Sequence, residues 1–133
     1  MTFLFNNQEF KKLIIDLNTK SQLYQQGIDS QGIKLSEYSR NNGYSNYTKA
    51  IKEAKGQPTN RITLNDTGEF YRSFRTKLFG SEIVIFANPN KDDTNLYDEW
   101  GTDIVGLTDE SLKTLAQFAK ILIKPYVKKT LQK

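Results

Sequence analysis

The stretch TLNDTGEFYRSF, residues 63–74, predicts a short strand that leads into a short helix. Asp66 is placed to cap the helix, and Glu69 follows it at the spacing of a capping-box acid. Phe70 and Phe74 stand four positions apart, which places both rings on one helical face. This stretch therefore indicates a structural motif, and its carboxylates are expected to cap a helix rather than to catalyse a reaction.

The residues that follow predict a β-hairpin. In RTKLFGSEIVIFAN, residues 75–88, two runs of β-forming residues flank Gly80 and Ser81. A glycine-serine pair between such runs is a hairpin signal, because glycine adopts positive φ without steric cost. The hairpin is expected to be the central piece of an antiparallel sheet.

Helical patterns stand on both sides of the hairpin. Apolar residues at helical spacing predict a first helix that begins near Asn6 or Asn7 and ends near Gly27. Thr108 is expected to cap a long last helix, which Pro125 should kink or split. Residues 28–60 predict a long irregular arm, with two helical turns between Tyr47 and Lys55.

Together these patterns predict an α+β fold. Its antiparallel sheet, with the central hairpin, would pack against the N-terminal helix and the long C-terminal helix. The length favours a single domain over residues 1–133, from which residues 28–60 extend as an arm or loop.

The composition argues against most enzymatic chemistry. The chain of 133 residues contains no cysteine and no histidine. Catalysis by Ser-His-Asp or Cys-His sets and zinc binding by those residues are thereby excluded. An acidic group offers oxygen ligands, but it lacks the glycine and glutamate spacing of an EF-hand; its members are Asp92, Asp93, Asp98, Glu99 and Asp103. We therefore expect no catalytic residue, no metal, no cofactor and no small-molecule substrate.

The net charge of +4 conceals a strong separation of charge along the chain. Residues 40–77 carry eight basic and three acidic side chains, whereas residues 82–110 carry eight acidic side chains and one lysine. After Glu110 every charged residue is a lysine. Separated charge of this kind suits the association of unlike faces at least as well as it suits DNA binding.

Two sets of aromatic residues have more than one interpretation. Tyr38, Tyr44 and Tyr47 lie among basic residues in the predicted arm, which is the composition of a single-strand nucleic-acid surface. Tyrosines that anchor an irregular loop are the more frequent case. Tyr97 and Trp100 either anchor their segment to the core or pack into a neighbouring subunit.

No apolar run reaches the length of about 20 residues that spans a bilayer, and the N-terminus lacks the features of a signal peptide. We therefore expect a protein that is made in the cytoplasm and makes no membrane contact.

The order of these parts resembles the tailed-phage virion-morphogenesis and tail-completion proteins, which form the neck between head and tail. The segments that carry the resemblance cover most of residues 8–126; they are DSQG at 29–32, YSNYTKAIKEAKG at 44–56, TLNDTGEFYRSF, IVI at 83–85, EWGT at 99–102 and VGLTDE at 105–110. Each segment alone is weak, and their order is what makes the set specific.

The resemblance implies a structural role in the virion, as a subunit of a ring that joins the head connector to the tail. The implied partners are further copies of the chain and the proteins on the portal and tail sides, with DNA only passing through a lumen. Candidate interface residues are Tyr38, Tyr44, Tyr47, Tyr97, Glu99, Trp100 and Asp103. The alternative function is a small nucleic-acid-binding module that uses the tyrosine-rich arm and the basic C-terminus.

Overall fold

The computed structural model of this protein describes residues 2–38, 46–80, 82–91 and 94–131, and the side chains of these residues except 2–3, 38, 46–49 and 122–131. The architecture is α+β, with small antiparallel sheets between helices at the two ends of the chain. The predicted fold class is thereby confirmed.

The N-terminal helical region begins with α1 (Thr2–Phe5) and continues as α2 (Gln8–Asp16). Asn7 caps α2, because its Oδ1 accepts a hydrogen bond of 2.9 Å from the Phe10 N–H. The predicted start and the predicted end at Gly27, where φ is 65°, are both confirmed. The sequence did not predict that the second half, Leu17–Gln26, is a π-helix.

Gly27 is held in a place where a larger residue does not fit. A Cβ atom there would lie 2.9 Å from the carbonyl oxygen of Ile62, whereas a Cβ at Gly56 would have no atom within 4 Å. Both glycines have positive φ, which costs a residue with a side chain roughly 1–2 kcal/mol. We expect Gly27→Ala to lower the free energy of unfolding, measured by urea denaturation, clearly more than Gly56→Ala. Equal losses would contradict the close approach to Ile62.

Residues 28–60, predicted as an irregular arm, contain local structure near both ends. The buried carboxylate of Asp29 accepts hydrogen bonds from the N–H groups of Gln31 (2.9 Å) and Ile33 (3.0 Å). A short 3-10 helix, Leu35–Tyr38, then places Leu35 in the core with no exposed surface. The predicted helical turns near residue 47 are confirmed as α3 (Asn46–Ala54), and residues 39–45 lie outside the described residues.

The motif at residues 63–74 differs from its prediction at the start of its helix. The predicted strand is absent there, because Leu64 has a left-handed backbone with φ of 58°. The helix α4 (Glu69–Arg72) has Gly68 as its N-cap, so the predicted capping by Asp66 and Glu69 is wrong. Phe70 does contact Phe74 as expected, with ring centroids 5.0 Å apart in an edge-to-face arrangement.

Asp66 forms ion pairs in place of the predicted cap. Its carboxylate lies 2.9 Å from Nζ of Lys55 and 3.0 Å from Nζ of Lys91. Asp66 therefore joins the segment after α3 to the strand that contains Lys91. The prediction failed because both partners are distant in sequence.

The two ammonium groups lower the pKa of Asp66 from 3.8 to about 2. A carboxyl group whose pKa is lower in the folded state than in the unfolded state stabilises the folded state at pH values above its unfolded pKa. For Asp66 this stabilisation is lost as the pH falls from about 4 to about 2. Because the Asp66 side chain is 44% exposed, its contribution is under about 1 kcal/mol. We expect Asp66→Asn to lower the free energy of unfolding by under about 1 kcal/mol at neutral pH. The variant should also show a weaker dependence of that free energy on pH between about 4 and about 2. An unchanged acid curve, measured by denaturation, would contradict the pairing.

The predicted hairpin is confirmed as β1 (Arg75–Phe79) and β2 (Glu82–Phe86). The strands are antiparallel, with Arg75 opposite Phe86 and Phe79 opposite Glu82. A second small sheet pairs β3 (Asn90–Lys91) with β4 (Thr94–Asn95). In the described part of the chain, each sheet has only two strands.

The chain ends with α5 (Leu96–Trp100), a 3-10 turn (Thr102–Ile104) and the long helix α6 (Asp109–Leu131). Thr108 caps α6 as predicted, since its Oγ1 accepts a hydrogen bond of 3.1 Å from the Ser111 N–H. The helix continues through Pro125, so the predicted alternative of a split there is wrong. Seven buried residues form one core cluster; they are Leu23, Leu35, Ile62, Phe70, Phe74, Leu96 and Ile104.

Candidate assembly surface

The hairpin exposes apolar side chains on the face that carries Phe79 and Phe86. This outer face consists of the alternating residues Arg75, Lys77, Phe79, Glu82, Val84 and Phe86. The side chains of Phe79 and Phe86 are 54% and 46% exposed, respectively. The Nζ of Lys77 lies 4.9 Å from the Phe79 ring centroid and covers part of one ring only. Phe79 lies at the turn end of the hairpin and Phe86 at its open end. Exposed aromatic residues at both ends of one face are typical of an interaction surface.

An apolar groove lies beside the same hairpin. It has a volume of about 700 Å³ and runs between β2 and the first half of α6, with residues of α2 also in its lining. The residues that define this groove include Phe10, Ile14, Ile83, Ile85, Leu112, Leu115 and Ala119. Leu112 is 48% exposed, and Ile121, just beyond the groove on α6, is 66% exposed. Part of the apolar surface of α6 is thus left uncovered by the described residues of the chain.

Two buried amide side chains hold the loop that leads into α6. Asn18 donates from Nδ2 to the Ile104 carbonyl (3.0 Å) and accepts at Oδ1 from the Gly106 N–H (2.7 Å). Gln22 donates from Nε2 to the Gly106 carbonyl (2.8 Å) and accepts at Oε1 from the Thr108 N–H (2.9 Å). We call this pair of side chains the amide clamp. It fixes the start of α6, and therefore one wall of the groove.

The sequence interpretation missed the amide clamp, although a signal was present. Asn18 and Gln22 continue the i+4 series of Phe10 and Ile14, which are both buried. Polar residues on an apolar helical stripe need internal partners. The series therefore indicated buried amides, but their backbone partners lie more than eighty positions away.

Tyr97 and Trp100 are anchors of α5 as the structure describes them. Asn95 caps this helix, because its Oδ1 accepts a hydrogen bond of 2.9 Å from the Tyr97 N–H. The side chains of Tyr97 and Trp100 are half-buried and pack against the core cluster. Burial raises the pKa of Tyr97. A further contact with a neighbouring subunit stays a prediction for both residues.

The side chains of Glu99 and Asp103 are exposed, as is that of Asp98. The backbone at Asp103 is fixed, because its carbonyl oxygen accepts a hydrogen bond of 2.7 Å from the Ser30 N–H. Exposed carboxylates are suited to face a basic partner. Their role as interface residues stays a prediction.

The tyrosines of the predicted arm are only partly described. Tyr44 lies outside the described residues, and Tyr38 and Tyr47 are described by their backbones alone, in the 3-10 helix and in α3. The basic residue Lys52, by contrast, is 7% exposed and donates to the carbonyl of Asn65 (3.1 Å). Burial lowers its pKa. This lysine holds the fold together and is not placed for a phosphate contact.

Comparison of the chain with known protein-family models, curated proteins and solved structures found no match. Among the described residues, no helix combines the length and apolar character needed to cross a membrane.

Proposed function

We propose that this protein is a non-enzymatic structural subunit of a tailed-phage virion, located in the neck, where it joins the head connector to the tail. The observation that carries the proposal is the apolar surface that the described residues of a single copy leave uncovered. It comprises the outer face of the hairpin and the groove beside it. Surfaces of this kind on a small domain are typical of proteins that work in an assembly.

The sequence supports the same function independently. The ordered segments from residue 29 to residue 110 resemble those of tail-completion proteins, and the absence of cysteine and histidine removes the commonest catalytic sets. The exposed acidic residues Glu99 and Asp103 are suited to a basic partner on the portal or tail side. Further copies of the chain complete the proposed ring.

Deletion of the gene from the phage that encodes this chain tests the proposal. We expect infected cells to accumulate DNA-filled heads and finished tails that are not joined, as seen by electron microscopy. Supplying the wild-type chain from a plasmid should restore joined particles. Normal yields of joined, infectious particles from the deletion phage would contradict the proposed function.

A further inference from the structure

We propose that the free edge of β2 binds an extended segment of a partner protein, which adds to the hairpin as a third strand and lies in the apolar groove. This inference goes beyond the proposed function and does not depend on it, because it concerns the form of the contact. Addition of a strand to a sheet edge is a common mode of peptide recognition, in which main-chain hydrogen bonds supply the affinity.

The position of the groove is the first argument, because the groove lies along the edge of β2 and not over one face of the hairpin. Successive residues of a strand point to opposite faces of a sheet. Val84 belongs to the outer face, and Ile83 and Ile85 belong to the opposite face, yet all three line the groove. A space that contacts three consecutive residues of a strand lies beside that strand.

The backbone of β2 supplies the second argument. Phe79 and Glu82 flank the two-residue turn as a hydrogen-bonded pair, so bonded and non-bonded pairs alternate along the hairpin. The N–H and C=O groups of Ile83 and Ile85 therefore point away from β1. No described residue forms a hydrogen bond with these groups. Because they have the spacing of a strand, an extended polypeptide is the ligand that satisfies them together.

The other edge of the hairpin differs from the edge of β2. The strand β1 carries Arg75 and Lys77 and packs against α2. Charged side chains and a covering helix are usual means by which proteins protect a sheet edge. In β2 the only charged residue is Glu82, beside the turn, and the strand contains neither a proline nor a bulge. The edge of β2 is therefore the one that is open to another strand.

The walls of the groove favour a single extended segment as the occupant. Opposite β2, the second wall is formed by α6 from Leu112 to Ala119. This distance is about 10 Å along the helix, which about three or four residues of extended chain cover. Since α6 stands opposite β2, one segment enters more readily than the hairpin of a second folded copy, which brings its own α6 with it.

The lining of the groove determines which side chains the segment should carry. No charged residue is among the described residues that line it. The side chains of the segment that point into the groove should therefore be apolar, and they alternate with others that point away. The phosphate groups of a nucleic acid would find no cationic partner in such a lining.

A short synthetic peptide tests the strand addition directly. The probe is Lys-Val-Thr-Val-Thr-Val-Lys, whose valines all point to one side when the peptide is extended. In an NMR titration of the isotope-labelled full-length chain with millimolar peptide, we expect the amide signals of Ile83 and Ile85 to shift. Hydrogen exchange of both amides should slow several-fold. The Val84 amide is the internal control, because it already bonds to Lys77 across the hairpin.

Two methylated forms of the probe are matched controls with the same side chains. One carries N-methyl groups on its valines, and the other carries them on the residue after each valine. Alternate N–H groups of a strand point to opposite edges, so only one form loses the donors that face β2. That form should bind roughly tenfold more weakly than the probe, because it cannot donate those hydrogen bonds. The other form should bind about as well as the probe.

A pair of substitutions on α6 tests the groove separately. Ala116 and Gln117 are both exposed, but only Ala116 lines the groove. We expect Ala116→Arg to weaken binding of the probe several-fold, because the longer side chain occupies the groove. Gln117→Arg adds the same charge outside the groove and should leave binding unchanged.

Three results would overturn the inference. The first is the absence of binding at millimolar peptide, and the second is equal binding by the two methylated forms. The third is slow exchange of Ile83 and Ile85 together with a dimer in sedimentation velocity, both without peptide, which would show that a second copy closes the edge. None of these measurements involves a virion, so their failure leaves the proposed function to its own test by gene deletion.

Discussion

Replacement of Phe74 by alanine is expected to lower the free energy of unfolding by about 3–5 kcal/mol, the usual cost of removing a buried phenylalanine. The Phe74 side chain is 1% exposed and packs edge to face on Phe70 inside the core cluster. The loss removes buried apolar area and leaves a cavity. Urea denaturation followed by circular dichroism measures it.

Phe79→Ala is the matched control, since it deletes the same atoms from an exposed ring. We expect it to cost less than about 1 kcal/mol of stability, as is usual for surface substitutions. A similar loss of stability from both substitutions would mean that the burial assigned to these two rings is wrong.

Loss of either member of the amide clamp is expected to have the second-largest effect. Asn18→Ala or Gln22→Ala each removes two hydrogen bonds to the backbone of residues 104–108 and leaves those groups without a partner. A buried group without a partner costs about 1–3 kcal/mol, so each substitution should cost about 2–4 kcal/mol after partial relaxation. Thermal and urea denaturation measure the loss.

Gln26→Ala is the control for the clamp, because Gln26 lies in the same π-helix but its amide makes an exposed bond to Ser21. It should change stability by less than about 0.5 kcal/mol. Asn18 and Gln22 hold the same loop, so the double variant should lose less than the two single losses combined. Strict additivity would indicate that the two amides act independently.

The parts of the fold that could be predicted are those fixed by neighbours in sequence. Asn7 and Thr108 cap helices through N–H groups three positions ahead, and Gly80 lies in a turn between adjacent strands. The contact of Phe70 with Phe74 follows from the same short-range geometry. In each case the spacing alone determines which groups can meet.

The features that were missed depend on distant contacts. Asp66 has the spacing of a cap, but ion pairs with Lys55 and Lys91 hold it elsewhere, and Gly68 with φ of 85° takes the cap position. The apolar spacing of the first helix was correct, yet it did not reveal the change to a π-helix after Asp16. Local helix propensity does not determine these features, because tertiary contacts override it.

Among the described residues, none of the interface residues predicted from the sequence lies on the outer face of the hairpin or lines the groove. The acidic residues Glu99 and Asp103 are exposed as an interface requires, whereas Tyr97 and Trp100 pack on their own core. The exposure of Phe79 and Phe86 was missed, because a hairpin sequence does not state how many strands or helices will cover it. The exposed face of the hairpin and the groove beside it were therefore found only in the structure.

Under the proposed function, quantitative mass spectrometry of purified virions is the most direct test of the structural role. Peptides of the chain should be present at a fixed ratio to the major capsid protein, in several copies per particle, and should remain after density-gradient purification and high-salt washing. Virions that are infectious and complete but contain none of these peptides would contradict the account.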